Sequence, residues 1–250
     1  MCSSDLCGKM TAILKREFAS YFTSPLGYVY LAVFYGFSGL FLWITCLSSG
    51  SADMQYVFLW MFFIMMILIP ILTMRTMADD KRQKTDQLTL TSPVSLFGLV
   101  AGKFLAAFFI FLIGAAVMFV YALGLAAAVN GSGTGTEFGW AGFFGNFAGI
   151  VLMGAVFISV GIFISSLTEN QMIAAIGSIG VNILLCLFDV ISNFVSVTFL
   201  KDIINALAVL YKYQEFTAGI FSLKNILFFL SLIVVFNFLT MRVIERRRWS

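Results

Sequence analysis

The stretch Val57 to Met74, VFLWMFFIMMILIPILTM, decides the fold. It runs for 18 residues without a charged side chain. At 1.5 Å per helical residue it covers about 27 Å, close to the roughly 30 Å hydrocarbon core of a bilayer. Working outward, comparable apolar runs fall at 27–47, 98–128, 141–166, 172–189 and 225–241, which with 57–74 makes six predicted spans. The runs are continuous rather than alternating, which excludes the strands of a membrane β-barrel. Composition agrees: the 250 residues are 61% hydrophobic and 11% charged, with a mean hydropathy of +1.01, whereas soluble domains carry roughly 25% charged residues. The predicted fold class is all-α, a polytopic membrane protein with six transmembrane helices. The run at 98–128 exceeds a single crossing, so it either tilts or begins in the interface near Lys103.

The formal charge of +3 comes from Lys and Arg at the ends of apolar runs. Orientation in a membrane accounts for that placement, and nucleic acid does not. Lys9, Lys15 and Arg16 precede the first span. Arg75, Lys81, Arg82, Lys84 and Lys103 lie around the connection between spans two and three, and Arg242, Arg246, Arg247 and Arg248 follow span six. Twelve of the fifteen basic residues therefore share one side, leaving Lys201, Lys212 and Lys224 on the other. Both termini are expected in the cytoplasm. No histidine occurs, which removes H-E-x-x-H metal sites and Ser-His-Asp triads. Cys2, Cys7, Cys46 and Cys186 contain no C-x-x-C and two of them sit in apolar runs, so neither a disulfide framework nor a zinc site is expected.

Residues 1–10 read as an extension that is disordered or non-native, without the apolar core of a signal peptide, and Met10 is the expected start of the coherent pattern. From there Ile13, Leu14, Phe18, Tyr21 and Phe22 share one side of a helix against Lys15, Arg16, Glu17 and Ser20. The spacing predicts an interfacial amphipathic helix at 11–24, ended by Pro25. The single transmembrane domain then occupies 25–250, with a cytoplasmic coupling loop at 75–97 and an outer segment at 190–225. Phe194–Tyr211 is apolar, but a seventh span there would centre Lys201 and Asp202 in the bilayer, at about 2.5–3.5 kcal/mol each. A re-entrant or surface helix on the outer face is expected instead.

The segment from Arg75 to Pro93 is dense in both charge signs and flanked closely by two spans. One reading is a solvated loop that obeys the positive-inside rule. The other is a docking element in which Asp79, Asp80, Lys81, Arg82, Lys84 and Asp86 form a charged helix, broken at Thr91-Ser92-Pro93. In this segment the chain resembles the ABC-2 type permeases, whose loop has the form E-E-x-R-x-G-T-x-E-x-L-L-x-x-P. The matching positions are Asp79, Asp80, Arg82, Thr85, Leu88, Leu90 and Pro93. Aspartates replace the two glutamates, Lys84 stands where glycine is usual, and Gln87 replaces the later glutamate. KREFASYFTSPLGYVYLAVFYGFSG near the start and YKYQEFTAGIFSLKNILFFLS before the last span extend the resemblance, toward the bacterial gliding-motility-associated branch.

The resemblance implies a permease subunit of the bacterial inner membrane that pairs with a separate cytoplasmic ATP-binding subunit. It also implies dimerisation, as a homodimer or with a related permease subunit. ATPase coupling is then assigned to Arg16, Glu17, Asp79, Asp80, Arg82, Thr85, Leu88 and Pro93. No enzymatic activity and no cofactor of its own are expected, ATP being bound by the partner. The sequence lacks G-x-x-x-x-G-K-[ST], and Gly131-Ser132-Gly133-Thr134-Gly135 has no phosphate-binding lysine. Membrane lipid and an extracytoplasmic accessory protein are further candidate partners.

Gly98-x-x-x-Gly102 and Gly145-x-x-x-Gly149 place small residues one turn apart, for helix packing within the subunit or for dimerisation. Pro70 removes one hydrogen bond from span two and predicts a kink. Asn182 reads as the only strongly polar side chain near the middle of a span, with helix packing and substrate contact both open. Arg75 and Asp189 fall at span ends, so no deep ionisable group marks an ion-coupled pathway. A secondary transporter or channel is the alternative reading. An intramembrane enzyme, resting on Asp189 and Asp202, is the third.

Overall fold

The computed structural model describes residues 2–82, 96–132, 138–194, 209–217 and 222–248. Among them there is no strand. The helices are α1 (Cys2–Thr23), α2 (Pro25–Leu42, continuing as a π turn at Trp43–Leu47), α3 (Gln55–Thr73), α4 (Arg75–Arg82), α5 (Leu96–Ser132), α6 (Trp140–Leu167), α7 (Gln171–Phe194), α8 (Val209–Thr217) and α9 (Leu223–Arg248). Among the described residues six segments are long and apolar enough to cross a membrane: Pro25–Leu47, Gln55–Arg82, Leu96–Gly131, Trp140–Leu167, Gln171–Phe188 and Leu223–Arg246. These are the six runs predicted from sequence, each with displaced ends. Helix α5, at 37 residues, is about 55 Å long at 1.5 Å per residue and outreaches a bilayer core.

Helix α1 starts at Cys2 rather than at residue 11, so the expected boundary at Met10 is not a break in the backbone. Pro25 does end it, standing at the first position of α2 as its missing N–H permits. Helix α1 packs along α5 and meets α2, and its Phe18 and Phe22 rings touch edge to face at 5.2 Å.

Helix α6 is the axis of the bundle. It contacts α3, α5, α7, α8 and α9, with α4 against its last turns. Close approach comes from missing side chains. A Cβ on Gly149 would lie 3.0 Å from the Phe216 Cβ of α8, one on Gly154 would enter the Phe111 ring of α5, and one on Gly161 would overlap Thr73 of α3. Gly145, Gly98 and Gly102 are buried on α6 and α5. The close approach at Gly149 is to α8 of the same subunit, and Gly154 and Gly161 make further close approaches outside the predicted motif.

Helix α8 is too short to span. Its Tyr213 hydroxyl donates to the Phe58 carbonyl at 3.2 Å and its ring stacks on Phe62 with centroids 4.8 Å apart, which holds it on α3 and α6. Lys212 sits over the Phe228 ring at 3.9 Å. The remainder of the tempting seventh run, including Lys201 and Asp202, lies outside the described residues.

Pro70 has no N–H, so the Met66 carbonyl one turn back loses its helical partner. The Asn182 amide of α7 donates to that carbonyl over a long 3.5 Å. This assigns Asn182 to helix packing. It is not the only amide inside the bundle: Asn146 is also buried, and the half-buried Asn237 donates to Ser159 Oγ at 3.3 Å. Asn182→Leu is expected to cost about 0.6–2 kcal/mol. In a Pro70→Ala background, where residue 70 again supplies an N–H to Met66, the cost should shrink toward zero. SDS unfolding of the four corners of this double-mutant cycle measures the difference.

Candidate functional site at the charged end of the bundle

Helix α4 is strongly polar, yet Thr76, Met77 and Ala78 are buried. Of the two readings offered for this segment, 75–82 follows the charged helix rather than the solvated loop, and that helix is docked on α6 and α7. The docking follows from satisfied polar groups. Arg75 Nε donates to Asp79 Oδ2 at 2.7 Å, one turn along, and Gln171 at the start of α7 donates to Asp79 Oδ1. Lys81 donates to the Ser166 carbonyl at the end of α6.

Lys103 is the centre of the site. It lies on α5 with only 1% of its side chain exposed. Its ammonium contacts Asp80 Oδ2 at 2.6 Å, the Thr76 carbonyl at 2.5 Å and Glu17 Oε1 at 3.3 Å. Those acceptors fill its three donors. Arg16 adds a second cation on Glu17 Oε1 at 2.9 Å. Helices α1, α4 and α5 are thus joined through one buried side chain that two carboxylates face.

Beside this network lies a cavity of about 340 Å³ lined by Arg16, Ser20, Tyr21, Ser24, Arg75 and Asp79 among others. Hydrogen bonding to Glu17 raises the Arg16 guanidinium further above its ordinary value. Burial, aided by the charge of Glu17, pushes the Tyr21 phenol up, so it stays a neutral donor; its partner is the Leu72 carbonyl at 3.4 Å.

Of the residues predicted for coupling, the structure brings Arg16, Glu17, Asp79 and Asp80 together and leaves Arg82 exposed at the end of α4. Thr85, Leu88 and Pro93 lie outside the described residues. Glu17, Asp79 and Asp80 spend their charge inside the protein, so they order the site more than they present it. Lys103, Ser165, Gln171 and Arg75 complete the site and were not singled out. Lys103 had a usable signal: it falls on the stripe Leu99, Val100, Ala106, Ala107 and Ile110, all buried, where a charge requires partners. Among the described residues no group of acidic or cysteine side chains has the makings of a metal site.

No curated protein matches the sequence. The family described as ABC-2 family transporter protein matches it over residues 7–249. On that match, which covers all six spans and the charged end alike, the chain belongs to the ABC-2 transporter family and is a multi-pass membrane component of the permease type.

Proposed function

We propose that this chain is the membrane-spanning permease subunit of an ATP-driven transporter, and that ATP is bound and hydrolysed by a separate cytoplasmic subunit docking on α1, α4 and residues 83–97. The observation that carries the reading is the Lys103 network. It ties the two elements nearest a cytoplasmic partner, α1 and α4, to the long helix α5. Through Asp79–Gln171 and Lys81–Ser166 the same α4 grips the turn between α6 and α7. A displacement of α4 therefore reaches the bundle axis without passing through a flexible linker.

Both termini face the cytoplasm in this reading, and the membrane is the bacterial inner membrane. Two permease subunits, identical or related, enclose the cargo path between them, and closure of two ATPase subunits shifts the pair between inward-open and outward-open states. The apolar, aromatic character of the spans favours lipidic or amphipathic cargo. The likeness of the two terminal stretches favours the gliding-motility-associated branch. The outer segment around α8 is the place for an extracytoplasmic accessory protein.

The test is co-expression with the ATP-binding subunit encoded nearest to this chain, followed by purification in nanodiscs. Wild type should co-purify and show ATPase activity. Arg82→Glu and Thr85→Pro should weaken association about tenfold, a loss of one docking contact. Arg82 suits the test better than Asp80, whose substitution also breaks the Lys103 network. Failure of every candidate ATPase to associate sinks the reading and promotes a self-sufficient secondary transporter.

A further inference from the structure

The α3–α4 junction carries a feature that neither the family match nor the docking residues account for. Helix α3 ends at Thr73, Met74 forms a turn and α4 starts at Arg75. In an unbroken helix the Ala78 N–H would bond the Met74 carbonyl, four residues back. Here the Ser165 hydroxyl of α6 stands between them: it accepts from Ala78 N at 3.0 Å and donates to the Met74 carbonyl at 3.0 Å. The Met77 N–H, whose helical partner would be the Thr73 carbonyl, also donates to Ser165 Oγ, at 3.1 Å. The Thr73 carbonyl is taken instead by Thr76 Oγ1. A side chain inserted in the i→i−4 ladder is an established cause of a sharp bend. This one comes from a different span and is fully buried, so no cytoplasmic partner touches it. Gly161, one turn before Ser165, lets Thr73 approach α6 closely enough for the hydroxyl to reach.

We infer that Ser165 is a positioning residue for coupling: its hydroxyl holds the α3–α4 junction open, and makes α4 and the end of α6 move as one body. Removing the hydroxyl lets the ladder close, so that α3 and α4 become one continuous helix whose last turns leave α6. The inference rests on the permease reading above, because it concerns the element on which the ATPase docks.

The experiment uses the nanodisc complex of this chain with its ATP-binding subunit. With Ser165→Ala, association and the KM for ATP should stay within about threefold of wild type, while ATPase kcat falls about tenfold, the pattern of a lost transmission step rather than a lost contact. Ser165→Thr, which keeps the hydroxyl, should recover most of the rate. A Ser165→Ala complex as active as wild type, or alanine and threonine variants equally impaired, overturns the inference and leaves the permease reading standing. Lack of any ATPase association by wild type overturns both.

Discussion

Lys103→Met should be the most damaging single substitution at the charged end of the bundle, costing about 3–5 kcal/mol, the usual loss when one member of a buried ion network is removed. The expectation follows from where the remaining charges are left. Glu17 and Asp80 approach each other only because the ammonium lies between them; without it two carboxylates repel in a partly dehydrated site, and the Thr76 carbonyl loses its donor. Helices α1 and α4 should then separate from α5 together. SDS unfolding would report the loss, and hydrogen exchange should rise in α1 and α4 but not in α9. Lys103→Arg retains the charge without the compact shape and should fall between methionine and wild type. If methionine unfolds at the wild-type SDS concentration, the three-helix junction does not depend on the ion network.

Gly161→Leu is expected to be nearly as severe, at about 3 kcal/mol or more, the upper end of overpacking. Any Cβ at residue 161 overlaps Thr73. Rotating the threonine moves its hydroxyl out of the way, but the Thr73 Cβ, 2.9 Å from the new atom, is fixed to the backbone. The two helices must therefore part along their contact, and the inserted Ser165 hydroxyl is drawn off the junction with them. The specific check is compensation. Gly161→Ala alone should destabilise, whereas Gly161→Ala with Thr73→Gly returns the missing space from the other side and should recover much of the loss, within the about 1 kcal/mol that glycine costs inside a helix. Equal stability of the single and double variants would mean that the Gly161–Thr73 approach is not what sets the helix spacing.

How much of this was legible in the sequence depends on which physical signal each feature leaves. The six spans were readable because a membrane demands about 20 apolar residues in succession, a signal carried by the local sequence alone. The location of the charged site was readable in outline from the crowding of Arg75, Asp79, Asp80 and Lys81 beside a span. What was not readable is direction. Asp79 and Asp80 looked like exposed docking charges, but their partners, Gln171 and Lys103, are 92 and 23 residues away in the chain, and only the packed bundle brings them together. Lys103 was masked by its own plausibility, since a lone lysine near the start of a span satisfies the positive-inside rule without a further role. Ser165 left a fainter trace: Gly161-x-x-x-Ser165 is a small-residue spacing of the same kind as Gly145-x-x-x-Gly149, without any mark of the helix it would meet. Pro70 predicted the broken hydrogen bond correctly, while the repair by Asn182 depends on α7 lying beside α3.

The axial position of α6 also has a bearing on biogenesis. Spans leave the ribosome in chain order, and the helix that α3, α5, α7, α8 and α9 all contact is the fourth of six to emerge. Until it arrives, α3 waits in the lipid with the groove side of Thr73 unfilled and the Met66 carbonyl unpaired, and α4 has no serine to receive its first amides. The early half of the nascent chain thus holds the contacts of α1 with α5 and of α2 with α3, but not the axis on which the rest of the bundle packs. Commitment to the native arrangement comes with translation of residues 140–167 and is completed by α7. A missense change on the buried face of α6 should accordingly show itself as rapid proteolysis of newly made protein, before any mature transporter exists to be assayed.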